Sequence, residues 1–257
     1  MKRARIYRVV LYVFGLVLLA FGLTLNTKVG LGAAPVISVP LSIATIWGFD
    51  LGNTTMILYM VFVIIALILH AMQLKQSKSI ILDNNNAAID DIRNRMIMDL
   101  MQFPLSLLFT RFLNLFASCL PSFETMDTES FAGSLIGRIL FLCLGILASG
   151  IGIAMSLTMR LIPNPADGVV QTIADQTGKS VGFTKNCFDL LHIFAAVIIG
   201  LIFARRIIGI GIGTIAAMLF VGRVIAIFQF FCGAWMLNRS GLQQADERKS
   251  ELDYKST

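Results

Sequence analysis

The chain has 257 residues, 56% of them apolar and only 14% charged, a balance that excludes an ordinary water-soluble domain and predicts an integral membrane protein. Its formal charge of +6 does not come from one basic patch. Lys and Arg sit at the ends of apolar runs, so nucleic acid is excluded as a partner and the charges read as topology signals.

In chain order, the first apolar run covers residues 9–25, behind Lys2, Arg3, Arg5 and Arg8. This start imitates a secretory signal peptide. The next segment, "LGAAPVISVPLSIATIWGFDLGNT", places a helix start at Pro35 and a stop at Gly48. Between them Ser38, Ser42 and Thr45 fall at i, i+4 and i+7, one polar stripe on an apolar rod. A second apolar run, 54–72, leads into the polar insertion 73–95, which contains "DNNNAAIDD". The third run, 96–120, carries Asp99 at the end next to the insertion, where an interfacial position is expected, with Gln102 beside Pro104 marking a kink and Arg111 further on. After it, "PSFETMDTES" holds Glu124, Asp127 and Glu129 without Lys or Arg.

The run 131–157 follows, and then a stretch that is polar where its neighbours are greasy, "IPNPADGVVQTIADQTGKSVGFT". Here Pro165 and Gly178 are the helix signals, Gly168, Thr172 and Asp175 hold the stripe positions, and Asp167 and Gln171 lie on an adjoining line. Runs 184–204 and 207–237 and a polar tail, 238–257, complete the chain. Crossing ~30 Å of hydrocarbon takes roughly 20 helical residues, so the long runs make six spans. Each polar helix, at about 1.5 Å per residue, reaches only about 20 Å, which suits a re-entrant segment lining a cavity; an amphipathic helix on the membrane surface is the plainer alternative.

Shifting the chain by 130 positions superimposes Arg8 on Arg138, Gly15 on Gly145, Gly22 on Gly152, Pro35 on Pro165, Gly48 on Gly178 and Gly52 on Gly182 without a gap. Beyond the insertion, which the second copy lacks, Arg111 falls on Arg223. Shared Gly and Pro carry more weight than shared Leu, because they mark special backbone geometry. The expected fold is an all-α membrane protein of six transmembrane helices arranged as two inverted three-helix repeats, 1–120 and 131–237, each with a short re-entrant polar helix. The repeat needs the first helix and argues against its cleavage. Placing both termini in the cytoplasm puts the insertion and tail, with most Lys and Arg, inside, and leaves Lys28, Arg138, Arg205 and Arg206 on the other face.

The "GLGAAPVISVPLS" segment, the G-x-x-x-G-x-T run after each polar helix and "IGIGIGTIAAMLFVGRVIAIF" in the last span resemble the YczE/YyaS/YitT group of bacterial membrane proteins. The resemblance covers roughly residues 8–230 and implies a bacterial inner-membrane protein with a duplicated multi-span fold. It implies no substrate, because the group largely lacks an established activity.

Other motifs carry little. "TGKS" has Ile173 where a phosphate loop needs Gly, and "GIGIGT" opens a span, where Gly209 and Gly213 read as a packing face. Cys119, Cys143, Cys187 and Cys232 have neither metal nor disulfide spacing. No catalytic pattern is present, so neither an enzyme nor a cofactor is expected.

Ionisable groups inside spans cost on the order of 3 kcal/mol and face a partner or a cavity. Asp189 and His192 share a face of the fifth span, with Lys185 and Asn186 a turn earlier; they read as a proton-coupling pair or as a structural hydrogen-bonded pair. Arg223, near mid-span, and Arg111 read as donors to an anion or as side chains snorkelling to headgroups. The expected function is a secondary transporter of a small polar, anionic solute. Its substrate-binding residues are Ser38, Ser42, Thr45, Asp167, Gln171, Thr172, Asp175, Arg111 and Arg223, and coupling is to protons. The alternative is a non-transporting membrane partner or scaffold that stabilises or regulates another membrane or envelope protein; the expected partners are the solute, the lipid bilayer, and a membrane protein or a second copy of the chain.

Overall fold

Glycine sets the centre of the molecule. In the computed structural model, which describes residues 2–80 and 86–242, α1 (Lys2–Lys28) and α5 (Leu135–Thr158) cross so closely that their backbones meet. A Cβ at Gly15 would stand 2.9 Å from the Gly152 carbonyl oxygen, and one at Gly22 would stand 2.7 Å from that of Gly145. Only residues without a side chain permit this approach.

Around that seam, α4 (Asn86–Cys119) packs on α1 and α8 (Ile212–Arg239) packs on α5. α3 (Leu51–Ile80) and α7 (Val181–Ile199) stand outside, joined to the centre through two short helices. These are α2 (Pro35–Trp47), which packs on α7, and α6 (Pro165–Thr177), which packs on α3. α3 also packs on α4, whereas α7 and α8 make almost no contact among the described residues. Six helices are long and apolar enough to cross a membrane, and no strand occurs among the described residues. Their outward faces, with Ile57, Ile64 and Ile68 on α3 and Phe230 and Phe231 on α8, are exposed and apolar.

The short helices follow their signals. Each has 13 residues, Pro in its first turn and a left-handed glycine after its end, Gly48 at φ 70° and Gly178 at φ 65°. A positive φ ends the helix at no steric cost only for glycine. α5 and α7 start on Ser134 and Ser180, whose hydroxyls accept from the amides of Gly137 and Phe183.

At about 1.5 Å per residue, the 30 residues of α3 and 34 of α4 reach beyond a ~30 Å apolar layer. The insertion is therefore helical where it is described, carried on the end of α3 and the start of α4. Part of its "DNNNAAIDD" run and most of the polar tail lie outside the described residues.

Candidate functional site

Two cavities open at opposite ends of the bundle. One, of about 500 Å³, lies between α4, α5, α6, α7 and α8 and reaches the end of α3. The other, of about 580 Å³, lies where α1 and α4 end and α3 begins, beside α2.

The first cavity is ringed by charge because α6 faces it with its polar stripe. Asp175 accepts from Arg95 Nη1 at 2.6 Å and from Gln171 Nε2 at 2.7 Å, while Arg95 Nε donates to Asp91 at 3.0 Å. One turn deeper, Thr172 is buried and its hydroxyl donates to the Gly168 carbonyl. At the start of α6, Asp167 faces the Lys185 ammonium at 3.6 Å, and the same ammonium lies 3.9 Å from the buried Asp189. Asp167, Gln171, Thr172 and Asp175 are thus brought together, with Lys185 and Arg95 as their counter-charges.

A second polar group borders this cavity. His70 on α3 and Asp99 on α4 are both buried, with 2.6 Å between Nδ1 and Oδ2. The other oxygen of Asp99 accepts from Gln102 Nε2 at 3.1 Å. Gln102 is itself fully buried, and its side-chain oxygen has no hydrogen-bond partner. Asp99 is thus enclosed by protein as well as lying toward the end of its span: α3 and α6 cover this part of α4, and His70 gives the buried carboxylate a polar partner. His70 escaped the sequence reading because its partner lies 29 positions away, across the insertion.

The remaining predicted residues lie elsewhere. Ser38 and Ser42 are fully buried and line neither cavity. Their hydroxyls face the carbonyls of Pro35 and Ile208 at 2.6 and 3.3 Å. Thr45 lines the second cavity with Lys28, Glu124 and Arg206. Asp189 and His192 share a face without bonding to each other: Asp189 turns to Lys185, and His192 Nδ1 donates to the Phe188 carbonyl at 2.8 Å. His192 also packs against the rings of Phe188 and Phe62. Arg111 is exposed, 3.4 Å from Asn53 Oδ1. Arg223 is exposed too, donating to the Leu219 carbonyl at 3.1 Å with its guanidinium 5.5 Å from the centre of the Phe220 ring. Neither arginine lines a described cavity. Among the described residues no three His, Cys, Asp or Glu side chains are grouped to hold a metal ion.

Residues 6–83 and 86–230 match the model of a family of unknown function, DUF6198, and the chain belongs to that family. No curated protein and no solved structure matches the chain.

Proposed function

We propose that this member of DUF6198 is a secondary transporter of a small cationic or zwitterionic solute, with the cavity beside α6 as its binding site. The observation that carries the reading is the charged ring of that cavity, built from α4, α6 and α7 within a bundle of spanning length. A structural scaffold has no use for such groups inside its spans, whereas a solute path does.

Two inverted halves are part of the reading. The packing of α2 on α7 and of α6 on α3 is the same relation exchanged between halves, as is that of α4 on α1 and α8 on α5. With 13 residues each, α2 and α6 are about 20 Å long and too short to cross, so we place them as re-entrant helices returning from mid-membrane to opposite faces. A cavity at each end then provides the two access sides of an alternating mechanism. We keep the bacterial inner membrane, both termini in the cytoplasm, and kinship with the YczE/YyaS/YitT group as elements of this proposal.

The charge of the solute follows from the lining. Asp91, Asp99, Asp167 and Asp175 face Arg95 and Lys185 there, an excess of carboxylates that disfavours an anion. The expectation of an anion rested on Arg223 and on the positive ends of the short helices. Arg223 faces away from the cavities, and Asp167 stands in the first turn of α6, offsetting that positive end.

The test is flux. Purified full-length protein in sealed vesicles is given radiolabelled tetraethylammonium, choline or glycine betaine, with benzoate as the anionic control, under an imposed pH gradient. Accumulation of a cation or zwitterion above that in empty vesicles supports the reading. Flux of none of them, together with a stable co-purifying membrane protein, favours the non-transporting partner.

A further inference from the structure

We infer that the His70–Asp99 pair is the proton-binding site of this protein, loaded from the end where α3 finishes and read by α6 through Gln102. Assignment of that proton to coupling rests on the transport reading above; the site itself does not.

Both oxygens of Asp99 face nitrogens, His70 Nδ1 at 2.6 Å and Gln102 Nε2 at 3.1 Å. In the site we infer, the carboxylate accepts from both, so Nδ1 carries the hydrogen of the neutral imidazole and the lone pair stays on Nε2. An incoming proton therefore adds to Nε2 and converts a neutral imidazole beside a carboxylate into an imidazolium–carboxylate pair. The unpartnered side-chain oxygen of Gln102, fully buried in the same cluster, is an acceptor held without a donor. Such an atom is costly unless another state of the site satisfies it.

Access and readout are both present. Gln73 and Ser77 continue the face of α3 below His70 at helical spacing and line a third opening, next to the charged cavity and also of about 580 Å³, together with Asp91, Arg95 and Asp175. On the other side Gln102 presses on Gly168 of α6, where a Cβ would meet its amide nitrogen at 2.7 Å. A change in the Asp99–Gln102 bond is therefore felt at the turn of α6 that precedes Thr172. Charged groups around the pair are Asp91 and Arg95 from α4, Asp167 and Asp175 from α6, and Lys185 from α7. α1 and α2 bring no charged side chain to this cavity.

The chain has only two histidines, so full-length protein labelled with ¹⁵N-histidine in lipid nanodiscs resolves them, and His192→Asn assigns the pair. The expected result is an Nδ1–H tautomer for His70 at the alkaline end of a pH series and an imidazolium at its acid end. In parallel, the rate at which Thr172→Cys in a cysteine-free background reacts with a small soluble thiol reagent, divided at each pH by the rate of Glu129→Cys on an exposed loop so that ionisation of the thiol itself cancels, should change at least about threefold over the same pH series. Asp99→Asn should abolish that change and scramble the tautomer, and Asp99→Glu should retain both; His70→Gln, which cannot titrate, should also abolish the labelling change. A His70 that is neutral at all these pH values, an Nε2–H tautomer in the wild type, or a Thr172→Cys response that survives Asp99→Asn and His70→Gln would each overturn the assignment. These measurements use no solute, so absent flux removes the transport reading without touching this one.

Discussion

Arg8 and Arg138, 130 positions apart, make exchanged bonds across the α1–α5 seam: Arg8 Nε donates to the Met159 carbonyl at 2.6 Å and Arg138 Nε to the Val29 carbonyl at 2.8 Å. Val29 is itself 130 positions before Met159. Each guanidinium thus ties its helix to the chain leaving the partner helix, just ahead of α2 in one case and α6 in the other.

Arg8 makes one bond more, from Nη2 to the Arg160 carbonyl. A hydrogen bond to a charged donor contributes about 1.5–3 kcal/mol, so Arg8→Gln and Arg138→Gln should both lower the thermal stability of the purified protein, Arg8→Gln by at least as much as Arg138→Gln. A melting curve unchanged in one variant and strongly lowered in the other would contradict the equivalence of the two ends.

Alanine at the seam should be costly. A Cβ at Gly22 would lie 2.5 Å from the Ser149 amide nitrogen, and one at Gly152 would lie 2.5 Å from that of Leu19. Backbone cannot step aside cheaply, so Gly22→Ala and Gly152→Ala should each cost about 1–3 kcal/mol. Gly222 has open space within 4 Å, and Gly222→Ala should be neutral or gain up to about 1 kcal/mol in helix propensity. Melting temperatures in one detergent decide the order.

Water should reach α6 but not the buried serine of α2. In a version lacking Cys119, Cys143, Cys187 and Cys232, cysteine at Gln171 or Asp175 should react readily with a small soluble thiol reagent, because both line open cavity. Cysteine at Ser42, which is fully buried, should react at least about tenfold more slowly. Equal rates at the three positions would remove the cavity from beside α6.

Arg223 should be dispensable for the bundle. Its guanidinium sits at the surface on its own helix, so Arg223→Gln should change stability by no more than about 0.5 kcal/mol. If any transported cation is found, its uptake should also be unaltered. Loss of uptake with unchanged stability would bring Arg223 back to the solute path.

Much of the frame was legible in the chain because it rests on local signals. Pro35 and Pro165, Gly48 and Gly178 announce the short helices by backbone rules that work within a few residues. Gly15, Gly22, Gly145 and Gly152 revealed themselves by repetition, although spacing alone could not say that Gly15 meets Gly152 rather than its own equivalent. The polar stripe of α6 was readable for the same reason, being periodic within one segment.

What stayed hidden depends on contacts between segments. His70 and Asp99 are bonded only because α3 and α4 lie side by side beyond the insertion, and nothing within a turn of either residue announces it. Arg223 is central in sequence within its span, yet helix rotation decides whether a side chain faces protein or surroundings. α8 is apolar on all sides, so no periodicity tells its faces apart. Ser38 and Ser42 were polar at the right spacing, but their hydroxyls satisfy nearby carbonyls instead of facing a solute.

The contact of Gly15 with Gly152 and of Gly22 with Gly145 also limits how the molecule can deform. Backbones in direct touch leave no layer of side chains whose rotamers could change, so α1 and α5 form a stiff spine. α3 is likewise clasped by α4. The flank between α7 and α8 has no such clasp, and the charged cavity lies behind it, with Lys185 on one edge and Ile225 on the other. Deformation is easiest where packing is least, so the soft side of this protein is a sideways one, facing the membrane rather than the water at either end.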